Sequence, residues 1–227
     1  LADIGLKEYK DGDIFFMRQD DVSYAMELFH GSQVEGIVRF NPDETSIGKQ
    51  NGWGVYMTDS KNIAKWYRDE FGKEGKGVVY KAVVHGGREP GDYVYLKLDD
   101  YVSKEDVDRV YDTIRTYFHD GRHLEFKKEI LNNDNLVTGN QFHNLIYKYL
   151  ENDDGKFQYR GPLAASSEFS KSISLFLSHA GYDGIQYTGH KVAGDKKPGQ
   201  NYVVFDFNEI DITGTESFSM EEVDLEI

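Results

Sequence analysis

The segment Phe29-His30-Gly31-Ser32 places a histidine beside a glycine at the end of a predicted strand. An imidazole nitrogen can hydrogen-bond a hydroxyl group, and a bare glycine backbone lets a flat amide approach closely. The segment therefore carries groups that could hold a polar ligand with hydroxyl and carboxamide functions. Taken alone, a histidine in this position is more typical of an ordinary turn.

Two tyrosines follow at a spacing that suits a planar ligand. Tyr56 lies on a short predicted strand, and Tyr67 lies eleven residues later on the helix predicted next. Aromatic rings so placed can enclose a flat heterocycle, because rings prefer stacked or edge-to-face contacts. Ordinary core aromatics are the alternative explanation for this pair.

A third segment, residues 199–206, joins a loop containing glycine and lysine to an apolar strand that begins at Asn201. Loops at strand entrances often face substrates, so this loop is a candidate contact for a ligand. As a single pattern it is compatible with many functions.

Three zones of the chain must position these segments. Strands and one helix are predicted from about residue 14 to 98, helices from 103 to about 180, and strands again after Gly181. The predicted strands are 25–30, 52–58, 78–84, 182–187 and 201–206. The predicted helices are 62–71 with Asp59 or Ser60 as N-cap, one after a Ser103–Asp106 capping box, one after Thr138, and one after Ser166 or Ser167. This order predicts one α+β domain with helices inserted in its middle.

The domain is predicted to span residues 25–215, with the helical insertion at about 103–180. Residues 1–24 are predicted to form an N-terminal extension and 216–227 an acidic tail. The start at Leu1 suggests a fragment or a processed product. No signal-peptide pattern opens the chain and no apolar run is long enough to span a membrane, so we expect a cytoplasmic protein, of the producing or of an invaded cell.

Composition narrows the function classes. The chain has 227 residues, no cysteine and a formal net charge of −14. Zinc-thiolate sites, disulfides and cysteine nucleophiles are therefore excluded. The negative charge argues against a general nucleic-acid binder, because binding to a phosphate backbone depends on lysine and arginine. The seven histidines show no paired metal-ligand spacing on a common helix face, so no metal site is predicted.

The order of the three segments resembles the ADP-ribosyltransferase superfamily, in the diphtheria-toxin and poly(ADP-ribose)-polymerase branch with its His-Tyr-Glu signature. The matching residues are His30-Gly31-Ser32, Gly54-Val55-Tyr56-Met57-Thr58 with Tyr67, and Tyr202-Val203-Val204-Phe205-Asp206. Residues 180–187 and 201–210 are also similar to the transferase domains of polyvalent phage proteins and phage-head-associated toxins. The resemblance covers about residues 28–212 and is loose in the middle helices.

The resemblance implies a split β-sandwich around a cleft that binds NAD. His30 would hydrogen-bond a ribose hydroxyl, the Gly31 backbone would hold the nicotinamide carboxamide, and Ser32 would lie near this contact. Tyr56 would form a wall of the nicotinamide pocket and Tyr67 would stack on the ring. Trp66 would take the stacking position if the helix were offset by one residue.

Asn201 departs from the family pattern, since active relatives usually carry glutamate there. That glutamate binds the ribose 2′-hydroxyl and stabilises the oxocarbenium ion as nicotinamide leaves. Asparagine keeps a hydrogen bond but brings no charge, and loss of one such group typically costs roughly 3–4 kcal/mol of barrier. Asp195 in the preceding loop is the predicted substitute acid. Asp206 is expected to point to the opposite face, and Glu209 to lie far from the ribose.

The resemblance predicts a mono-ADP-ribosyltransferase that uses NAD as substrate and modifies a macromolecular acceptor, with a protein favoured over a nucleic acid. An NAD-binding recognition module that has lost efficient transfer is one alternative. The other alternative is a different nucleotide enzyme on this fold, such as an NAD glycohydrolase or an RNA 2′-phosphotransferase. The acidic composition counts against the phosphotransferase, which is expected to have basic residues around its pocket.

Overall fold

The computed structural model describes residues 6–8, 14–16, 26–44, 51–71, 77–85, 93–132, 137–150, 164–192 and 197–217. The strands in this part of the chain are β1 Leu6–Glu8, β2 Ile14–Phe16, β3 Met26–Ser32, β4 Val55–Thr58, β5 Val78–Val84, β6 Tyr95–Lys97, β7 Gly184–Thr188, β8 Gln200–Val204 and β9 Ile210–Ser217. The helices are α1 Lys61–Phe71, α2 Lys104–Tyr117, α3 Arg122–Asn132, α4 Gly139–Leu150 and α5 Ala164–His179. Short 3₁₀ helices lie at Pro42–Glu44 and Phe207–Glu209.

Seven strands form one mixed sheet in the order β6-β7-β8-β4-β3-β5-β9. Only the β6–β7 pair is parallel, and the other pairs in this sheet are antiparallel. Strands β1 and β2 form a separate antiparallel pair. The predicted α+β class is confirmed. In chain order, strands come before and after a helical block that runs from α2 to α5.

Helix α1 follows β4 directly and begins after Ser60. The Ser60 hydroxyl accepts a hydrogen bond from the Ile63 N–H at 3.2 Å, which satisfies one free donor of the first turn. Ile63 and Ala64 are fully buried, and the helix packs on β3, β4 and β5. The predicted helix over 62–71 is confirmed, with Ser60 as its cap.

The caps of α2 and α4 also follow the prediction. Ser103 and Asp106 form a reciprocal capping box at the start of α2. At the start of α4, the Thr138 hydroxyl accepts from the Gln141 N–H at 3.3 Å, and the Gln141 side chain accepts from the Thr138 N–H at 3.0 Å. Both helices therefore begin where side chains satisfy their first N–H groups.

The predicted start of α5 is wrong. The helix begins at Ala164, so Ser166 and Ser167 lie inside it rather than at its cap. Alanine has the highest helix propensity, and residues 164 and 165 are both alanine, which extends the helix past the two serines. The predicted end is correct, because Gly181 follows the helix with a φ of 88°, a left-handed conformation that glycine adopts readily.

Two apolar clusters lie on opposite faces of the sheet. Helices α2, α4 and α5 pack against one face, where the cluster includes Ile185 and Val203. The other face carries a cluster that includes Leu28, Tyr80 and Val204. Alternation along β8 thus sends Val203 toward the helices and Val204 away from them. None of the helices in the described part of the chain is both long and apolar enough to cross a lipid bilayer.

His143 on α4 makes the stability of this core dependent on pH. The side chain is 3% exposed, and burial lowers its pKa to about 4 from the ordinary value of 6.5. Because the unfolded chain binds the proton more readily, stability is full above pH 6.5 and falls as the pH drops toward 4. The expected loss from this residue is about 3 kcal/mol.

Urea unfolding at pH 7 and pH 4.5 checks this expectation. His143→Leu removes the titrating group and keeps an apolar side chain of similar size. We expect its free energy of unfolding to change less between the two pH values than that of wild type. Equal pH dependence in the two proteins would show that His143 is not responsible.

Candidate functional site

The candidate site lies where the large sheet divides between β3 and β4. Strand β3 pairs with β5 along its whole length but shares only the Phe29–Thr58 register pair with β4. On its other side, β4 pairs with β8 from Val55 to Thr58. The three segments singled out in the sequence therefore occupy neighbouring strands, with a split between the first and the second.

His30 lies on β3 and reaches across this split. Its Nδ1 atom is 2.7 Å from the backbone carbonyl oxygen of Tyr56. A carbonyl can only accept, so Nδ1 carries the proton and Nε2 of the neutral ring is left as an acceptor. Desolvation lowers the pKa of His30 below its ordinary value, which keeps the ring neutral at physiological pH. Within the described residues, Nε2 has no hydrogen-bond partner and is available to a donor.

The His30 ring belongs to an aromatic group on the face of the sheet away from the helices. The centroid of the Phe40 ring lies 5.0 Å away in an edge-to-face arrangement, and that of Tyr80 lies 6.5 Å away. The Tyr80 hydroxyl in turn donates to the Val34 carbonyl at 2.7 Å and accepts from the Ile37 N–H at 3.0 Å. The loop after β3 is thereby fixed over the histidine.

Gly31 and Ser32 have structural contacts of their own. A Cβ atom at Gly31 would lie 2.0 Å from the carbonyl oxygen of Ala64 and 2.8 Å from the amide nitrogen of Arg68. Only glycine therefore allows α1 to pack this closely on β3. The Ser32 hydroxyl accepts from the Val34 N–H at 3.1 Å and closes the turn that follows the strand. Their contacts with a nicotinamide group stay predictions.

Tyr56 points toward the helices, on the opposite face from His30. Its hydroxyl donates to the Gly52 carbonyl at 2.8 Å and accepts from the Asn51 N–H at 3.2 Å. Burial raises the pKa of this phenol well above its ordinary value. The side chain is therefore a neutral, fixed wall rather than a base.

Tyr67 and Trp66 are neighbours on α1 but face different groups. Burial raises the pKa of Tyr67, and the nearby Asn201 side chain opposes this shift. The Trp66 ring lies against the ring of His190, with centroids 5.4 Å apart. The two neighbouring rings meet edge to face at 5.0 Å. Of the two predicted stacking residues, Tyr67 is the one that reaches Asn201.

Asn201 is the buried polar centre of the site. It lies on β8 between Thr58 of β4 and Tyr187 of β7, and its side chain is 3% exposed. The hydroxyls of Tyr67 and Tyr187 lie near this side chain, and its Oδ1 atom is buried without a hydrogen-bond partner among the described residues. An unsatisfied buried acceptor costs roughly 1–3 kcal/mol, a penalty that a ligand donor could relieve.

The two described carboxylates considered in the sequence, Asp206 and Glu209, contact other groups. Asp195 lies outside the described residues. Strand β8 ends at Val204, so the predicted strand through Asp206 is too long and alternation does not apply there. Asp206 instead caps the following 3₁₀ helix by accepting from the Asn208 N–H at 2.9 Å. Burial, Asp206 and Asp183 raise the pKa of Glu209, which places it in another acidic group.

Tyr187 and Asn51 are site residues that the sequence analysis gave no role. Burial raises the pKa of Tyr187 to about 12, and the side chains of Asn51 and Asn201 lie near its hydroxyl. Strand alternation from the buried Ile185 was the available signal, because it places Tyr187 on the same face. The described residues contain no group of three or more histidine, aspartate or glutamate side chains that could hold a metal ion.

Comparison of the chain with protein-family models, with curated proteins and with solved structures finds no significant match. The functional interpretation therefore depends on the residues of the site. These comprise a neutral histidine and a set of phenol and amide groups on the two sides of a split sheet.

Proposed function

We propose that the protein is an NAD-dependent mono-ADP-ribosyltransferase that modifies a macromolecular acceptor. The main support is that His30 and Tyr56, two residues that carry the resemblance to that superfamily, meet across the split between β3 and β4. Asn201, at the position of the family glutamate, lies on β8 beside β4, with Tyr67 of α1 near its side chain. His30 and Asn201 lie on opposite faces of the sheet. A ligand that contacts both must therefore extend across the split, as a dinucleotide can.

The division of the sheet supports the finer fold proposal, a split β-sandwich around an NAD cleft. Seven register pairs join β3 to β5, whereas one joins β3 to β4. Backbone groups at a strand edge that lack a partner on the next strand need another hydrogen-bond partner. For the Tyr56 carbonyl, that partner is the imidazole of His30. The split between β3 and β4 is thus stabilised by the His30 side chain, whose Nε2 atom can still accept a hydrogen bond.

In the proposed reaction, each group has a stated task. Nε2 of His30 accepts from a ribose hydroxyl, the Gly31 backbone holds the carboxamide, and Tyr56 and Tyr67 enclose the nicotinamide ring. Oδ1 of Asn201 accepts from the 2′-hydroxyl of the ribose that bears nicotinamide. The bond between C1′ and the nicotinamide nitrogen breaks, and its electron pair leaves with neutral nicotinamide. The acceptor nucleophile then bonds to C1′ and loses its proton.

A protein is the proposed acceptor because of the charge of the chain. A net charge of −14 repels a nucleic-acid backbone unless a local basic surface offsets it. Asp195 is the proposed acid that assists transfer. It precedes β8 closely in the sequence.

A second candidate function is an NAD-binding recognition module. The observation in its favour is the amide at position 201, since Asn201 supplies no negative charge to a developing oxocarbenium ion. The phenols of Tyr67 and Tyr187 lie near Asn201 and are neutral as well. Binding would then persist without efficient bond cleavage.

Nicotinamide release from NAD, measured with and without a cell lysate, tests the proposal. Release that requires lysate and labels an acceptor indicates a transferase, whereas release without an acceptor indicates a glycohydrolase. Measurable NAD binding without release supports the recognition module. Absence of both binding and release in wild type would reject an NAD site altogether.

Two substitutions of His30 distinguish the roles of its two ring nitrogens. The Asn amide imitates Nδ1–H and can keep the bond to the Tyr56 carbonyl, whereas it lacks Nε2. We therefore expect His30→Asn to weaken NAD binding about tenfold, equivalent to one hydrogen bond of roughly 1.4 kcal/mol. Isothermal titration with NAD measures the change, and His30→Gln, which imitates Nε2, is the matched control. Unchanged affinity in His30→Asn would remove this histidine from the NAD site.

A further inference from the structure

An asparagine followed directly by a glycine lies in the turn before β4. Asn51–Gly52 is the only Asn-Gly pair in the sequence. The backbone nitrogen after an asparagine can attack the carbon of its side-chain amide, and glycine permits this close approach because it has no side chain. Asparagine is one of the thermolabile residues of proteins. The chain can therefore modify itself at this pair without an enzyme.

The fold requires glycine at position 52. Gly52 has a φ of 129°, a conformation that residues with a side chain rarely adopt. A Cβ atom there would lie 2.8 Å from the hydroxyl oxygen of Ser174. That hydroxyl is itself held in place, because it accepts a hydrogen bond from the Trp53 N–H at 2.8 Å. The reactive neighbour of Asn51 is thus a consequence of how this turn packs on α5.

The Gly52 N–H is the group of this turn that is left to react. On one side of it, the Asn51 N–H donates to the Tyr56 hydroxyl at 3.2 Å. On the other side, the Trp53 N–H also lies 3.2 Å from the Ser170 carbonyl oxygen. The Gly52 N–H between them has no hydrogen-bond partner among the described residues. Since Asn51 is only half-buried, solvent can remove the proton from this nitrogen.

Two aspartate–glycine pairs among the described residues could react by the same route, but their carboxylates are held. In Asp120–Gly121, hydrogen bonds from Arg122 lower the pKa of the carboxyl to about 2. The resulting carboxylate is a poor target for a nucleophile. In Asp183–Gly184, the carboxylate accepts from the Val94 N–H at 2.7 Å and the glycine belongs to β7. The structure thus favours reaction at Asn51.

We propose that Asn51 is a self-modification site, at which the folded protein deamidates to aspartate and isoaspartate. The Gly52 nitrogen loses its proton and bonds to Cγ of Asn51. The bond between Cγ and Nδ2 breaks, and Nδ2 takes up a proton and leaves as ammonia. Water then opens the five-membered imide ring at one of its two carbonyl carbons. One water is consumed and one ammonia released, so no oxidant or reductant is needed.

Both products alter the wall of the candidate site. Each adds a negative charge near the Tyr56 hydroxyl, and isoaspartate also adds one carbon atom to the main chain between positions 51 and 52. The Tyr56 hydroxyl bridges this link, because it accepts from the Asn51 N–H and donates to the Gly52 carbonyl at 2.8 Å. The added atom changes the spacing of these two groups. An effect of this change on NAD binding rests on the proposed function, whereas the modification itself does not.

Incubation of the whole chain at 37 °C and pH 8, followed by peptide mass spectrometry, tests the proposal. We expect the peptide that contains residue 51 to gain about 1 Da, at a rate that rises about tenfold per pH unit because a proton must first leave nitrogen. Asn51→Gln is the matched control, since its longer side chain would have to close a less favourable six-membered ring. The peptide that contains the buried Asn201 is the internal control, and we expect no change in either. An unchanged residue-51 peptide in wild type would overturn the proposal.

The same incubation in urea shows whether the fold permits the reaction. We expect the native protein to deamidate at no less than about one tenth of the rate of the unfolded chain, because the Gly52 N–H is free in both. A native rate below that fraction would show that the turn protects Asn51, and would overturn the proposal. Deamidation together with no NAD binding by wild type would reject the proposed function and leave this site. NAD binding without deamidation would reject this site alone.

Discussion

Asn201→Glu is expected to raise the rate of nicotinamide release from NAD by roughly 10²–10³-fold. The carboxylate would bring negative charge next to the oxocarbenium ion that forms as nicotinamide leaves. A preorganised group of this kind is worth roughly 3–4 kcal/mol of barrier. Nicotinamide release under saturating NAD measures the gain directly.

The site can accommodate this charge because two donors are already in place. The hydroxyls of Tyr67 and Tyr187 lie near the Asn201 side chain and can each turn a proton toward a carboxylate. Burial opposes ionisation of the new carboxyl and raises its pKa, whereas the phenol donors favour the charged form. We therefore expect the activity of Asn201→Glu to rise with pH as this carboxyl loses its proton.

Asn201→Gln is the matched control, since it has the length of glutamate without the charge. The expected order of rates is Asn201→Glu well above wild type and Asn201→Gln at or below wild type. Equal rates for the glutamate and glutamine variants would show that charge at this position does not limit the reaction. The proposed place of Asn201 beside the reacting ribose would then be wrong.

Local sequence signals were enough to predict the elements that carry the site. Strand β5 at Val78–Val84 and helix α1 follow from a β-branched run and from a capped helical stripe. Strand β9 was not predicted, because its alternating Ile210 and Ile212 give way to Gly214 and polar residues. It continues through Ser217, two residues into the predicted acidic tail. Its stability comes from pairing with β5, which no local pattern reveals.

Helix α3 shows a different limit of prediction. Gly121, with a φ of 86°, lies between α2 and α3 and interrupts the helical pattern. The helix that restarts at Arg122 buries only Phe126 and Ile130, and two apolar residues four apart are a weak stripe. Packing of α3 against α2 and α4 stabilises this helix. Tertiary contacts thus determine whether a segment with a weak helical pattern forms a helix.

Candidate site residues could be identified from the sequence, but the face of the sheet on which each one lies could not. Tyr56, Tyr67 and His30 could be selected by type and spacing, but spacing does not say that His30 and Tyr56 lie on opposite faces of the sheet. The pairing of Tyr187 with Asn201 depends on β7 and β8 being neighbours, which follows from the topology of the whole sheet. Hydrogen-bond networks between elements distant in sequence require the structure.

Gly31→Ala is expected to destabilise the protein by about 3 kcal/mol or more, at or above the usual cost of overpacking. The added Cβ would lie 2.0 Å from the Ala64 carbonyl oxygen and 2.8 Å from the Arg68 nitrogen, and both are backbone atoms. A backbone cannot rotate away as a side-chain end can, so α1 must move away from β3. Urea unfolding measures the loss.

Gly214→Ala is the control for the intrinsic effect of the substitution in a strand. A Cβ at Gly214 would meet only the Cβ of Lys81, at an ordinary 3.8 Å, so we expect a change within about 0.5 kcal/mol. Movement of α1 in Gly31→Ala would also carry Tyr67 away from Asn201, because Tyr67 lies on the same helix. If Gly31→Ala were as stable as Gly214→Ala, the close packing of α1 on β3 would be refuted, and with it the helix position that brings Tyr67 to the site.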